Sequence, residues 1–319
     1  MKKILCVGSV TADVMVKPAD SIPEPGTLQS VESISVHTGG CASNAAMDLA
    51  KIGVPVRLCC RLGNDRFGDF VKETAQEAGV DISAVVQRDA PQTTVSVVCV
   101  QSNGERSFLY YPGSAGAFCT EDIPESAADG CEIVFVAGAM LLSGFDGNPC
   151  GTFLQKMQEA GKYTALDTGW DFEDIWLPKL KDVLPHLDLF MPSYDEAVKL
   201  SGCTEVSEMV RFFKKCGAKN LVIKMGKDGA YLSPQHGEAQ VLPAFSGLTV
   251  KDTTGAGDAF CAGFLTGIAR GEDFYRCGIL ANAAGAHCVM ELGASAGIPP
   301  LKQIEEFIAS YGIEKEGSL

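Results

Sequence analysis

The chain has 319 residues, of which 46% are hydrophobic, and a formal net charge of -14 at pH 7. A chain of this length can bury a large core, and its acidic balance argues against nucleic acid or an anionic membrane surface as a partner. No apolar run approaches the roughly 20 residues that cross a bilayer, and the first apolar run is too short for a signal peptide, so we expect a cytoplasmic protein.

Short apolar segments alternate with amphipathic segments along the chain. Because this order is typical of parallel strands connected by helices, we expect an α/β fold: a doubly wound, mostly parallel central sheet flanked by helices. Strands are predicted at Ile4–Val7, Val56–Cys60, Ile133–Ala137, Thr164–Leu166, Leu189–Met191 and Leu221–Ile223. Helices are predicted at Ser43–Ile52, Phe67–Ala78, Thr152–Ala160, Val206–Cys216, Ala256–Ala269, Phe274–Met290 and Leu301–Ala309.

Two β-rich segments interrupt this alternation. Thr94–Val100 and Arg106–Tyr111 flank Asn103-Gly104, which is a strong hairpin signal. With Val14–Val16 and Ser33–His37 they predict a small antiparallel sheet that projects from the core, although an edge extension of the main sheet fits equally well. We therefore divide the chain into a core of residues 1-12, 39-91 and 113-319 and a small sheet of residues 13-38 and 92-112.

The cysteines predict no metal site or disulfide framework. The chain has 13 cysteines but no C-x-x-C pair, and its four histidines stand apart in sequence. Several of the cysteines lie in apolar runs, where a free thiol behaves as a small hydrophobic group. Reduced, largely buried thiols are the expectation; the examples in apolar runs are Cys6, Cys59, Cys60, Cys99 and Cys261.

The run from Asp252 to Phe260 is the most informative in the chain. It places Gly255, Gly257 and the carboxylate of Asp258 where an apolar helix begins. The unpaired amides and the positive end of such a helix favour an anion, and glycines let a phosphate approach the backbone closely. The run therefore predicts a phosphate site.

Asp258 gives this predicted site a chemical role. In the first turn of the helix the dipole favours its ionised form, and a carboxylate beside a phosphate can take the proton of a hydroxyl that attacks phosphorus. The pattern thus indicates phosphoryl transfer to an alcohol. Many helices carry a first-turn acid that only complements the dipole, and this simpler reading stays open at this stage.

Two stretches resemble the signatures of one family. Asp252 to Leu265 is similar to the C-terminal signature of the ribokinase-like (PfkB) family of carbohydrate and nucleoside kinases, and Gly39 to Ala46, with Gly53 and Gly63, to its N-terminal signature. The resemblance implies a sugar kinase that uses ATP and Mg²⁺, with the small sheet as a lid over the sugar. It also implies Asp258 as the general base and an anion hole formed by the amides of Gly255, Ala256, Gly257 and Asp258.

The acceptor is expected to bind residues of the N-terminal half. Asp13 follows the first strand, where open α/β sheets place ligands, and its carboxylate can accept hydrogen bonds from two sugar hydroxyls. By resemblance Asp13, Gly39, Gly40 and Asn44 form the acceptor-binding set, and Arg106 is the lid candidate for an acidic or phosphorylated sugar. Separately, each of these residues also fits a turn, a hinge or a helix start.

The nucleotide is expected to bind the C-terminal half. The loop that follows the strand at Leu221–Ile223 contains Lys224, Gly226 and Gly229 and fits a segment that passes close to ATP. By resemblance Asn282 lines the base pocket and Thr254 lies on the nucleotide side. A solvated lysine and plain helix packing around Asn282 are the alternatives.

The resemblance also implies metal ions and an assembly. Glu196 matches the acid that orients Mg²⁺ through water, although Ser193 replaces the family's usual asparagine. Asp252 and Thr254 match part of a potassium site that some members have. Lid sheets of the family often pair between subunits, which implies a homodimer through the lid.

Other classes of function are weaker or remain open. A dinucleotide-dependent oxidoreductase and a P-loop ATPase are disfavoured, because their glycine motifs are absent from the expected places. The acceptor stays open among ribose-, fructose- and ketodeoxygluconate-like sugars, with an unphosphorylated sugar favoured. A nucleoside kinase of the adenosine type and a non-catalytic sugar or nucleotide sensor are the alternatives.

Overall fold

The computed structural model describes residues 1–103 and 105–313. Strands and helices alternate along most of this length, as predicted. The strands are β1 (Ile4–Gly8), β2 (Thr11–Lys17), β3 (Ser33–Gly39), β4 (Val56–Gly63), β5 (Asp81–Arg88), β6 (Val95–Val100), β7 (Arg106–Tyr111), β8 (Ile133–Ala139), β9 (Tyr163–Thr168), β10 (Leu189–Phe190), β11 (Asn220–Lys224), β12 (Ala230–Ser233) and β13 (Gln240–Leu242). The helices are α1 (Cys41–Ile52), α2 (Arg66–Glu77), α3 (Gly113–Gly116), α4 (Asn148–Glu159), α5 (Tyr194–Ser201), α6 (Val206–Lys215), α7 (Ala256–Arg270), α8 (Phe274–Val289) and α9 (Leu301–Ser310).

The central sheet has nine strands in the order β13-β12-β11-β10-β9-β8-β1-β4-β5. Its pairs are parallel from β5 to β11, and only β12 and β13 are added antiparallel at one edge. The doubly wound, mostly parallel sheet is therefore confirmed. Three of its strands were missed, because β5 mixes polar with apolar residues and β12 and β13 are very short.

Apolar side chains cover both faces of this sheet. One layer packs α1, α2, α7, α8 and α9 against it, and the other packs α4, α5 and α6. Helices α7 and α8 lie so close that a Cβ at Gly263 would stand 2.6 Å from the carbonyl oxygen of Leu280. This close packing holds the N-terminus of α7 against the sheet.

A second, four-stranded sheet has the order β3-β2-β6-β7 and is separate from the central one. The pairs β2–β3 and β6–β7 are antiparallel, as predicted, and a parallel pair β2–β6 joins them. The small sheet is thus not an edge extension, and we call it the lid sheet. Gly104 of the predicted hairpin signal lies outside the described residues.

Two expectations from composition can be compared with the structure. All 13 cysteines are free thiols, and most of them are buried. Among the described residues, no helix combines the length and apolar character needed to cross a membrane.

Candidate active site

The helix predicted after Gly255 begins there, and we call the segment from Asp252 to Asp258, for which anion binding stays a prediction, the anion-binding turn. Gly255 is the N-cap residue with a φ of 76°, and a Cβ there would lie 2.5 Å from the carbonyl oxygen of Ala294. This left-handed conformation and the close contact both require glycine. Ala256 already donates a long hydrogen bond of 3.3 Å to the Thr253 carbonyl oxygen. The strongest amide donors for an anion are therefore those of Gly255, Gly257 and Asp258, since the first turn has no partners within the helix.

Asp258 lies in the first turn of α7, next to the start of α1. Helix α1 begins after Gly40, whose φ of 92° and short approach to the Ser9 carbonyl again require glycine. Asn44 of α1 donates a hydrogen bond of 2.8 Å from Nδ2 to Oδ2 of Asp258. The folded chain thus brings the two signature stretches into direct contact.

The environment of Asp258 makes it a stronger base than a surface acid. Burial raises the pKa of Asp258, while the hydrogen bond from Asn44 and the charge of Lys224 oppose the rise. The helix dipole alone predicted a favoured ionised form, but burial outweighs it. A general base works best when its pKa approaches the operating pH, so a raised pKa of Asp258 suits a catalytic base.

Asp13 faces the same region from the lid sheet. It pairs across the sheet with His37 and Ser96, and Ser96 pairs in turn with Tyr110, so these side chains share one face. A Cβ at Gly39 would stand 2.1 Å from the Asp13 carboxylate, so only glycine leaves room for it. Burial raises the pKa of Asp13 to about 6.

Arg106 extends from the start of β7 to the anion-binding turn rather than to Asp13. Its guanidinium donates 2.7 Å to Oδ1 of Asp252 and also contacts the hydroxyl of Thr254. Asp252 is buried and accepts two further hydrogen bonds, from the amides of Thr254 at 2.8 Å and Gly293 at 3.0 Å. Arg106 therefore binds the turn, and the contact with an acceptor predicted for it remains a prediction.

The potassium ion expected at Asp252 does not fit this arrangement. Burial tends to raise the pKa of Asp252, but the donors from Thr254, Arg106 and Gly293 lower it overall, so the carboxylate is ionised and already compensated. The guanidinium supplies the positive charge that a bound cation would bring. Arg106 of the lid sheet thus supplies a positively charged guanidinium to the turn that precedes Gly255.

Lys224, the last residue of β11, is part of the site and not a solvated loop lysine. Its ammonium lies 2.6 Å from Oδ1 of Asp167, and both side chains are almost fully buried. Although burial lowers the pKa of Lys224, the charge of Asp167 raises it overall, so the ammonium stays protonated. A Cβ at Gly257 would be 3.4 Å from this ammonium, which places it beside the anion-binding turn.

Asp167 was missed by the sequence analysis. It follows the predicted strand at Thr164–Leu166, and an acid at the carboxyl end of a buried parallel strand was the available signal. Burial raises the pKa of Asp167 to about 7; Lys224 opposes the rise, and the charges of the nearby Glu196 and Asp258 add to it.

Glu196 is held at the start of α5 by a capping box. Ser193 is the N-cap residue, and its amide and the Thr168 hydroxyl each donate 2.8 Å to Oε2 of Glu196. Serine and asparagine are comparable N-cap residues, which explains how Ser193 can replace the family's asparagine.

The carboxylates around Glu196 suit a water-held magnesium ion. No group of three or more acidic, histidine or cysteine side chains in the described ranges forms a complete metal cage. Magnesium prefers a few carboxylates together with waters and substrate phosphates, so the site fits that mode of binding.

Two cavities are lined by residues that were predicted to bind the nucleotide. One, of about 430 Å³, is lined by Ser193, Lys224 and Gly226, among others. The other, of about 180 Å³, lies between Phe245, Tyr275 and Asn282, whose Nδ2 donates 2.9 Å to the Pro243 carbonyl. Gly229 instead packs against the end of β13, where a Cβ would stand 2.0 Å from the Leu242 carbonyl oxygen, so the structure assigns it a packing role.

Comparisons with known proteins identify the family of the chain. The model of the pfkB family of carbohydrate kinases matches residues 1–301. A ribokinase from Arabidopsis thaliana is 29% identical over 94% of this chain and 79% of its own length. A nucleoside kinase from Methanothermobacter thermautotrophicus is 25% identical over 98% of both chains. A 2-dehydro-3-deoxygluconokinase from Bacillus subtilis is 27% identical over 90% of this chain and 91% of its own.

Solved structures give the same result. Arabidopsis thaliana ribokinase, solved with ribose and ATP, matches with a TM-score of 0.83 at 26% identity, over 96% of this chain and 98% of its own. A fructokinase from Xylella fastidiosa with bound ATP shares the fold, with a TM-score of 0.82 at 23% identity over 97% and 99% of the two chains. The family match spans most of the chain, and the two signature stretches meet at Asp258. The chain therefore belongs to the pfkB family of carbohydrate kinases.

Proposed function

We propose that the protein transfers the γ-phosphoryl group of ATP to a hydroxymethyl group of a small neutral sugar. One observation carries the proposal: Asn44 of the acceptor-side helix donates 2.8 Å to Asp258 at the anion-binding turn. A hydroxyl held near Asn44 and Asp13 is thereby close to both a base and a phosphate site.

Each residue then has a definite task. Asp13 accepts hydrogen bonds from sugar hydroxyls and orients the acceptor. Asp258 takes the proton of the attacking hydroxyl, while the amides of Gly255 and Gly257 face the charge that develops on the transferred group. Lys224, kept protonated by Asp167, adds positive charge beside those amides. General-base help is usually about 10²–10⁴-fold, so positioning and electrostatics supply the rest.

The nucleotide would occupy the two cavities, and its metal would lie beside the carboxylate of Glu196. Glu196 would hold a magnesium ion through water, and the ion would offset the charge of the phosphates. Asn282 and its apolar neighbours Phe245 and Tyr275 would contain the base.

The contacts on the lid sheet favour a neutral acceptor. The guanidinium of Arg106 is engaged by Asp252 and Thr254, so its charge is largely committed away from Asp13. The aromatic residues of the lid sheet are divided: Phe108 and Tyr110, which contacts Phe172, share the face of Asp13, whereas Tyr111 lies on the opposite face. The committed charge of Arg106 therefore makes a ribose- or fructose-like sugar fit better than a ketodeoxygluconate-like acid, and the nucleoside stays the alternative.

A screen that couples ADP release to each acceptor class tests this proposal. Neutral pentoses and hexoses are expected to give turnover, and sugar acids and nucleosides much less. Turnover with nucleosides alone would replace the sugar by the nucleoside alternative. Thermal stabilisation by a sugar with an ATP analogue, without ADP release from any acceptor, would indicate a non-catalytic sensor.

We also propose a homodimer through the lid sheet. The face opposite Asp13 carries exposed apolar side chains, and soluble monomers rarely leave such a patch uncovered. A second copy offers the same patch and can cover it by twofold symmetry. The exposed members are Ile34, Val36, Leu109 and Tyr111.

A further inference from the structure

Asp48 is a buried acid next to the site that the proposed mechanism does not use. It lies on α1, one turn after Asn44, and is fully buried. Within the described part of the chain, neither of its carboxylate oxygens has a hydrogen-bond partner. Lys51, the nearest cation on the same helix, instead donates 2.6 Å to the Ser295 carbonyl oxygen. Buried carboxylates are normally paired, so this one requires an explanation.

Two more atoms beside Asp48 lack partners among the described residues. They are Oδ1 of Asn44 and Oγ of Ser295. Asn44 and Asp48 are four residues apart and share a face of α1. The side chains therefore form a row from Ser295 through Asp48 and Asn44 to Asp258, whose Oδ2 accepts from the other end of the Asn44 amide at 2.8 Å.

One added proton satisfies every unpartnered atom in this row. An ionised Asp48 can only accept, so Oδ1 of Asn44 would face no donor at all. A protonated Asp48 can donate to Oδ1 of Asn44 while its second oxygen accepts from the Ser295 hydroxyl.

The electrostatic surroundings also favour the protonated form of Asp48. Burial raises the pKa of Asp48 well above its usual range, and the charge of Asp258 adds to this, whereas Ser295 and Lys51 oppose it. Cys288, whose thiol contacts the carbonyls of Thr254 and Ala294, is a further titratable group beside this row. At the Asp258 end, Cys41 and Lys224 also face the row. An ionised Asp48 would add a second negative charge close to the base.

We propose that Asp48 is a neutral carboxylic acid in the native protein and positions Asn44 by donating a hydrogen bond to its Oδ1. The amide of Asn44 is thereby fixed with Nδ2, and not Oδ1, toward Asp258. Asp48 is a positioning residue, because it acts on the base through Asn44. This role rests on the proposed function of Asp258, whereas the neutral state of Asp48 does not.

The test compares Asp48→Asn, which keeps the shape, the donor and the neutral charge, with Asp48→Leu, which removes the donor. With the best acceptor of the screen, Asp48→Asn should retain kcat within about twofold, with the acid-limb pKa of kcat/KM unchanged. Asp48→Leu should lower kcat roughly tenfold without changing the KM for ATP, since one net hydrogen bond is lost. An equal loss of kcat in both variants, or no loss of kcat in either, would overturn the positioning role of Asp48.

Thermal unfolding tests the protonation state independently of catalysis. An acid whose pKa is raised on folding holds more protons in the native state, so wild-type stability falls as pH rises above the ordinary aspartate pKa. The Tm of Asp48→Asn should therefore exceed that of the wild type by a margin that grows between about pH 5 and pH 8. Asp122→Asn is the matched control, because Asp122 is buried but paired with Arg61 and Arg88. That variant should be less stable than the wild type by a nearly constant margin.

Infrared difference spectra report the protonation state of Asp48 directly. A protonated carboxyl band in the wild type at neutral pH, missing in Asp48→Asn, is the expected result. If the band is absent, and Asp48→Asn is destabilised with loss of a potassium- or sodium-dependent rise in Tm, then Asp48 is an ionised cation ligand and the inference is wrong. Thermal unfolding and infrared spectra can both be interpreted even if no acceptor gives turnover. The neutral state of Asp48 and the proposed kinase function can therefore fail separately.

Discussion

Nδ2 of Asn44 lies 2.8 Å from Oδ2 of Asp258, although the two residues are 214 positions apart in the chain. This hydrogen bond joins the first turn of the acceptor-side helix α1 to the first turn of the phosphate-side helix α7. It also places the charged base where a neutral amide, and not a cation, is its direct donor. Burial raises the pKa of Asp258 in spite of this hydrogen bond, so the base remains able to take a proton.

Asp258→Asn should abolish most turnover. We expect kcat to fall by about 10²–10⁴-fold, because general-base help is lost while the amides of the anion hole remain. ADP release measures kcat, and calorimetry with an ATP analogue should show nearly unchanged affinity. Asp69→Asn is the control, since Asp69 is also a first-turn helix acid but is exposed. Near wild-type turnover in Asp258→Asn would show that another group is the base.

Asp13→Asn should weaken acceptor binding. Hydrogen bonds to a charged group are usually about 1.5–3 kcal/mol, so the KM for the acceptor should rise roughly 10- to 150-fold with the KM for ATP unchanged. Because burial raises the pKa of Asp13 to about 6, the ionised form that accepts hydroxyls is lost as pH falls through that value. In the wild type the acceptor KM should therefore rise below about pH 6. This part of the pH dependence should be absent from Asp13→Asn.

Arg106→Ala should create a requirement for a monovalent cation. Without the guanidinium, the buried carboxylate of Asp252 keeps the neutral donors of Thr254 and Gly293 but loses its positively charged partner. We expect wild-type kcat to be the same in potassium and tetramethylammonium salts, and the variant to be slow unless potassium is present. Arg88→Ala, which removes a comparable ion pair with Asp122, should be indifferent to the salt. Strong potassium activation of the wild type would contradict the assignment of Arg106 as the resident cation.

Lys224→Met should lower both stability and activity, and a second change should separate the two effects. Removing one partner of a buried pair typically costs about 3–5 kcal/mol, because Asp167 would be left buried without its partner. The double variant with Asp167→Leu should recover most of this stability in urea unfolding. Its kcat should remain low, since the ammonium beside the anion-binding turn is still missing. Recovery of kcat in the double variant would mean that Lys224 has a structural role only.

Val36→Asp should yield a monomer if the lid sheet is the dimer interface. A carboxylate in the centre of the apolar face would be buried without a partner between two copies. Light scattering after size exclusion gives the mass. Val241→Asp is the control, because Val241 is exposed on the edge strand β13 of the central sheet. Equal masses for the wild type and Val36→Asp would exclude this interface.

The central sheet and most of its helices could be predicted because their signals are local. Apolar runs such as Ile133–Ala139 and helices such as α6 have the periodicity of their own element. Helix α5 was missed, since it is short and its N-terminus depends on a capping box with Ser193 and Glu196. The parallel pair β2–β6 was also beyond a local reading, because residues far apart in sequence form it.

By itself, the sequence determined the fold class, the helix N-terminus at Gly255 and the candidates Asp13, Asn44 and Asp258, since glycines, caps and apolar periodicity act over a few residues. Tertiary structure alone decided which groups face one another. It brought Arg106 to Asp252, paired Lys224 with Asp167 and left Asp48 buried behind Asn44. The physical reason is that burial and charge pairing depend on distances through space, and these distances arise only when helices from opposite ends of the chain pack on one sheet.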